Sequence, residues 1–142
     1  MKTRKSWREK LEVAHEAKVV AISPKMRKQL GTGTMLIPKP LDVDAMIRKV
    51  PRGKVLTLTA LREKLARAAG ADVACAMVTG MFVRIVAEAA EEDLRAGKAR
   101  VTPWWRVVRD DGKLFEKLPG QAEHLEEEGH EIQKSGKLRV IF

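Results

Sequence analysis

Between positions 76 and 95 the apolar residues recur at the 3.6-residue period: Val78, Met81, Phe82, Ile85 and Ala89 gather on one side. This predicts the longest helix of the chain, with that side turned to a core. The other side carries Gly80, Val83, Arg84 and Ala87, small and apolar apart from one arginine. A solvated face is normally rich in Lys and Glu. So bare a face either admits close approach of another surface, with Arg84 as its reaching charge, or lies under a second layer such as the N-terminal extension.

Shorter helices are predicted at 5–18, where Trp7, Leu11 and Ala14 fall at helical spacing, and at 24–30, with Ser23 as cap, Pro24 at the first position and Gly31 as stop. Another is expected from Asp42 or Asp44 to Val50. A further one starts at a Thr59 cap, turns Leu61 and Leu65 inward, and stops at Gly70; a last one covers 120–129. Pro51-Arg52-Gly53 reads as a turn, 55–57 as a short extended piece and 31–40 as a connector. Residues 100–108 read as a strand. Asp110-Asp111-Gly112 then turns the chain so that 113–115 pairs back as a wing, and the tail reads as an edge strand.

Helix, turn, helix and hairpin is the order of a winged helix-turn-helix, a module that sets its second helix against DNA. The fold class expected is α+β, mostly helical. Residues 1–35 form a basic helical extension and 36–142 the winged-helix domain.

Charge sharpens this picture. The net charge is +9; residues 1–40 hold ten Lys/Arg against three acids, and 41–142 hold eighteen against sixteen. A basic arm on a nearly neutral domain suits a polyanion, with phosphates supplying non-specific affinity; a solubilising arm is the plainer alternative. No run is apolar enough to span a membrane and no secretory signal follows the basic start, so no membrane partner and a cytoplasmic place, on the nucleoid in a bacterium, are expected. Cys75 is the only cysteine, which excludes an internal disulfide. His15, His124 and His130 lack metal spacing, and GTGT at 31–34 lacks the Lys-Ser/Thr of a phosphate cradle. No cofactor and no metal are expected.

From Leu41 to Gly129, about 90 residues, the chain resembles the C-terminal domain of the O6-alkylguanine-DNA alkyltransferases, the methylated-DNA-[protein]-cysteine S-methyltransferases. The resemblance rests on four pieces in order: VPRGKV at 50–55, FVRIV at 82–86, PWWRVVRDDG at 103–112 and EEEG at 126–129. In that family a cysteine after the proline accepts the alkyl group, and the next residue is a histidine that activates it. Here the two are Trp104 and Trp105. An indole offers no thiolate for in-line displacement. The resemblance is therefore to the alkyltransferase-like branch, which replaces the cysteine, often by Trp, and binds lesions without repairing them.

Other departures bear on base flipping. The chain has no tyrosine, and Leu58 stands where the family's nucleotide-rotating tyrosine falls. The stretch between Arg84 and Pro103 is longer than usual and lacks the family's Asn-Pro, and the extension does not resemble the family's N-terminal domain.

What the resemblance implies is a non-enzymatic reader of alkylated guanine in double-stranded DNA, a monomer that flips and shields the lesion and hands it to a repair protein. Strand alternation would put one tryptophan toward a lesion pocket and one toward the core, and the resemblance assigns Trp104 to the pocket, with Trp105 and Arg106 beside it. Arg106 is also expected to tie the strand to a carboxylate. Arg84 would fill the gap left by the extruded base, Gly80, Val83 and Ala87 would permit close approach to the minor groove, and Leu58 and Thr59 would complete the DNA surface. The rivals are a general DNA-binding winged helix without lesion preference, and a repair enzyme: a transferase using Cys75 or a hydrolase using Asp110 or Asp111.

Overall fold

The computed structural model describes residues 6–12 and 16–141. Its helices are α1 (Trp7–Glu12), α2 (Arg27–Leu30), α3 (Pro40–Arg48), α4 (Leu58–Ala69), α5 (Ala76–Arg95) and α6 (Gln121–Glu127). Its strands are β1 (Lys18–Ala21), β2 (Thr34–Ile37), β3 (Leu56–Thr57), β4 (Val73–Ala74), β5 (Val107–Val108), β6 (Ile132–Gln133) and β7 (Arg139–Val140). The fold is mixed α+β.

Helix α5 has the expected bounds, but its buried arc is turned by about one residue's rotation, ~100°, from the arc read in the sequence. Val83 and Ala87, expected to face outward, are each 1% exposed and pack with Val43 and Ile47 of α3 and Leu61 and Leu65 of α4. Met81, expected in the core, is 56% exposed. The N-terminal half of α5 is apolar nearly all round, so periodicity alone could not choose between the arcs.

A second layer does cover part of α5. The backbone N–H groups of Trp7 and Arg8, orphan donors at the start of α1, both donate to the Glu92 carboxylate at 3.1 Å. Arg8 pairs with Asp93, and Leu11 is wholly buried. Asp93 is held below the usual carboxylate range: its burial works the other way and is outweighed by the bond and charge of Arg8 and by Lys98. Some of the extension's positive charge is thus spent inside the molecule.

The extension is less helical than expected. Of the helix read at 5–18, Trp7–Glu12 is helical, Glu16 and Ala17 are irregular and Lys18 opens β1; positions 5 and 13–15 lie outside the described residues. The helix read at 24–30 begins only at Arg27, after a turn at 24–26, and stops at Gly31 as expected. The connector read at 31–40 contains β2, which pairs antiparallel with β1 and parallel with β4. Its Met35 and Leu36 are buried, and two-residue β4 is too short to leave a sequence signal.

Pro40 opens α3 at its first position, in place of the expected Asp42 or Asp44 cap. Asp44 is buried instead, accepting from Arg48 Nε at 2.8 Å and from the Thr102 hydroxyl, which ties the chain ahead of Trp104 to α3. Helix α4 is capped by Thr57, whose hydroxyl accepts the Ala60 N–H at 3.2 Å, two residues before the expected Thr59. Gly70 ends it in the left-handed conformation, φ 71°.

The strand read over 100–108 forms only at its end. Trp104–Arg106 is a 3-10 turn, and β5 pairs in parallel with β3. The turn at 110–112 forms, and the Arg109 N–H donates to the Lys113 carbonyl at 3.0 Å, but the pairing does not continue along β5. Lys113 bridges to Arg139, and Leu114 N–H donates to Leu138, so the expected wing leg joins the C-terminal hairpin β6–β7.

Candidate nucleic-acid interface

Two donors at the start of α4 anchor the loop that follows β5. The Thr59 N–H donates to Asp110 Oδ1 at 3.1 Å and the Thr59 hydroxyl to Oδ2. Thr57 satisfies the third N–H of the helix and Asp110 the second, so a carboxylate sits at the positive end of the helix dipole. The Thr59 hydroxyl and then its N–H hold Asp110 below the usual carboxylate range. Thr59 thus serves the loop, and Asp110 is engaged in holding it.

The loop carries Arg109 and Phe115 past the exposed end of α5. Between them lies a cleft of about 330 Å³, within the range of small-ligand sites, about 300–1,000 Å³. Leu58, Gly80, Val83 and Arg84 form one side; Arg109 and residues 115–118 form the other. Four residues that the sequence assigned to a DNA surface therefore meet at one cavity, with Val83 as a buried wall rather than an outward contact. Ala87 is not part of it.

Phe115 is the aromatic residue of this cleft, and no sequence signal marked it beyond its being one of six aromatics. The Arg109 guanidinium lies 5.3 Å from its ring centroid. A buried clamp fixes its backbone: Gln121, 2% exposed, accepts the Phe115 N–H at 2.8 Å and donates to the carbonyls of Trp105 and Val107 at 3.1 and 2.7 Å. Positive charge borders the opening. Arg84 lies 5.6 Å over the Trp7 ring, Lys117 is exposed, and Glu116 is paired with Lys137 at 2.9 Å.

Trp104 is not in a pocket. It is 0% exposed, packed in the main core and edge-on to Trp105 and His124 at 6.3 and 6.1 Å. The reason is local: in a 3-10 turn consecutive side chains do not alternate between two faces, so the strand argument for Trp104 does not apply. Trp105 and Arg106 line a different cavity of about 480 Å³, with Arg48, Arg52, Arg100 and His124, which shares no residue with the cleft. Trp105 stacks on His124 at 4.2 Å, and His124 meets Glu91 at 2.9 Å.

Arg106 has the structural role expected of it. Its guanidinium donates to Glu128 at 3.0 and 2.6 Å and to the Val50 carbonyl at 2.6 Å. Cys75 precedes α5, its N–H donating to Leu36 at 2.8 Å, and it does not line the cleft. Among the described residues no group of three His, Cys, Asp or Glu is placed to hold a metal ion, and no helix is long and apolar enough to cross a membrane.

The site is thus a basic-edged cleft between a helix and an anchored loop in a mixed α+β fold. Among solved structures the chain is similar to S. pombe Atl1, in a crystal structure of the complex with damaged DNA containing O6-carboxymethylguanine. The TM-score is 0.48 at 23% identity, over 72% of this chain and 87% of that chain. No protein-family model and no curated protein matches the chain.

Proposed function

We propose that this chain is a non-enzymatic reader of alkylated bases in duplex DNA, holding an extruded base in the cleft between α5 and the 109–118 loop. The observation that carries the reading is the cleft itself, where Arg84, Gly80 and Leu58 converge with Phe115 and Arg109. Extruding a base costs a few kcal/mol, less for a damaged pair. Stacking on Phe115 returns about 1–3 kcal/mol. Arg84 at the same opening can hydrogen-bond and stack where the base has left.

Alkyl transfer is not part of this function. The acceptor position holds Trp104, sealed in the core, and an indole supplies no thiolate. A lesion held but not repaired stays shielded until a repair protein takes it over. The extension's lysines and arginines add sequence-independent phosphate contacts, and the chain acts as a monomer.

The test compares one duplex with and without a single O6-methylguanine. Wild type binds the lesion duplex more tightly, with no mass gain on the protein. Arg84→Ala and Phe115→Ala lose more affinity for the lesion duplex than for the intact one. Equal affinity for both duplexes would leave only a general DNA-binding protein, and a methyl group gained by Cys75 would make it a transferase.

A further inference from the structure

Among the described residues, the most exposed large apolar side chains on a helix are two methionines that do not line the cleft. Met77 is 73% exposed and Met81 56%. Four residues apart on α5, they share one face, and Gly80 and Arg84 complete the same exposed arc.

Gly80 gives this arc its meaning. It lies in the interior of a helix, where glycine costs about 1 kcal/mol relative to alanine. Nothing among the described residues requires it: a Cβ there would meet no atom within 4 Å, and its φ is not in the left-handed region. The backbone is therefore left bare toward the outside, between two protruding thioethers. A surface with a flat backbone and two flexible apolar prongs, edged by Arg84, Arg109 and Lys117, fits a polyanion that has an apolar interior open to wedging. Duplex DNA is such a partner, and side chains of this kind, methionine among them, part its base steps from the minor groove.

We infer that Met77 and Met81 form an apolar wedge that enters the DNA base stack beside the cleft, while Gly80 lets the helix backbone approach the groove floor. The wedge unstacks and bends the duplex, lowering the cost of extruding the base that Arg84 and the cleft then hold. This rests on the proposed DNA-reading function. The two can fail separately, because wedging acts on intact duplex as well as on damaged duplex.

The test uses the full chain, a duplex with 2-aminopurine beside the target position, with or without O6-methylguanine, and dyes on the DNA ends. Wild type raises 2-aminopurine fluorescence and shortens the end-to-end distance on both duplexes. Met77→Ala/Met81→Ala keeps the wild-type melting temperature, since both side chains are exposed. It loses both signals and binds the lesion duplex about tenfold more weakly, equivalent to 1.4 kcal/mol. Met81→Leu, still apolar and of similar size, restores them.

A wild type that bends and unstacks both duplexes without preferring the lesion supports the wedge and removes the lesion reading. A wild type that prefers the lesion with neither signal, or a double variant that keeps both, overturns the wedge. So does a wild-type dimer in sedimentation that the double variant abolishes with no change on DNA, since the methionines would then cover a second copy of this chain.

Discussion

Gln121 holds Phe115 in place: one side-chain amide, almost fully buried, accepts the Phe115 N–H at 2.8 Å and donates to two carbonyls of the 105–107 segment. The amide thereby fixes the loop of the cleft to the 3-10 turn and to the start of β5. Replacing it by a group of similar size without polar atoms would leave one N–H and two carbonyls unsatisfied in the interior. Each such group costs about 1–3 kcal/mol when buried without a partner.

Gln121→Leu is therefore expected to lose about 3 kcal/mol of stability, allowing for partial access of water, and to weaken lesion preference through misplacement of Phe115. Urea unfolding gives the first quantity and paired duplex titrations the second. A stability loss with lesion preference fully retained would show that the clamp does not position the cleft.

The two aromatic candidates separate cleanly by stability. Trp104 is fully buried in the core, so Trp104→Ala costs about 3–5 kcal/mol and reports on folding before it reports on DNA. Phe115 is half-buried at the cleft, and Phe115→Ala costs much less. It is expected to lower affinity for the lesion duplex by an amount near one stacking interaction, about 1–3 kcal/mol, and to leave intact-duplex affinity nearly unchanged. Trp104→Cys supplies a thiol but in a sealed position, so mass spectrometry after incubation with O6-methylguanine duplex is expected to show no added methyl group.

The contrast between Trp104 and Phe115 also shows what the amino-acid pattern could and could not convey. Local signals were reliable where one residue type forces one geometry: Gly31 and Gly70 stop their helices, and the 51–53 turn forms with Gly53 at φ 84°. Gly80 and Arg84 were legible as a surface because a small residue and one arginine stand out among core-type neighbours, whereas Leu58 was placed there only by the family resemblance. The rotation of α5 was not legible, since its first half is apolar on two arcs and only packing against α1 and α3 selects one. Phe115 was hidden because its place depends on Gln121 and Asp110, partners that no periodicity connects. The β1–β2–β4 sheet escaped because each strand is too short, and β2 too rich in flanking Gly and Pro, to show alternation.

Acid should act on the Arg106–Glu128 pair. Burial works to raise the Glu128 pKa, but the Arg106 bond, the Trp105 indole, the Arg106 charge and the Gly53 N–H outweigh it, and the carboxyl sits below its ordinary 4.5. A group whose folded pKa is depressed stabilises above its unfolded pKa, and that stability is lost as pH falls through the folded value. Stability is thus expected to be flat in this respect above about pH 5 and to decline below 4.5, with Asp93 and Asp110 adding to the decline below their ordinary 3.8. Arg106→Ala removes the closest cation from Glu128, 3% exposed at its side chain, and leaves the longer contact with Arg52 at 3.9 Å. It should cost about 3–5 kcal/mol at neutral pH and flatten the acid limb. A limb unchanged in Arg106→Ala would assign the decline to other carboxylates.

On the proposed function, salt should separate residues that grip phosphate from Arg84 at the vacated position. Lys117 and Arg109 line the loop side of the cleft, across from Arg84 on α5. Each phosphate contact contributes about −0.9 to the slope of log K against log salt. Lys117→Ala is expected to weaken lesion and intact duplexes equally and to make the slope less steep by about 0.9. Arg84→Ala should instead weaken the lesion duplex more, with a smaller change in slope, because part of its contribution is hydrogen bonding and stacking at the vacated position. Titrations of both duplexes from low to moderate salt resolve the two patterns. If Arg84→Ala and Lys117→Ala behave alike on both duplexes, Arg84 is a phosphate contact, and the vacated position must be filled by another side chain of α5.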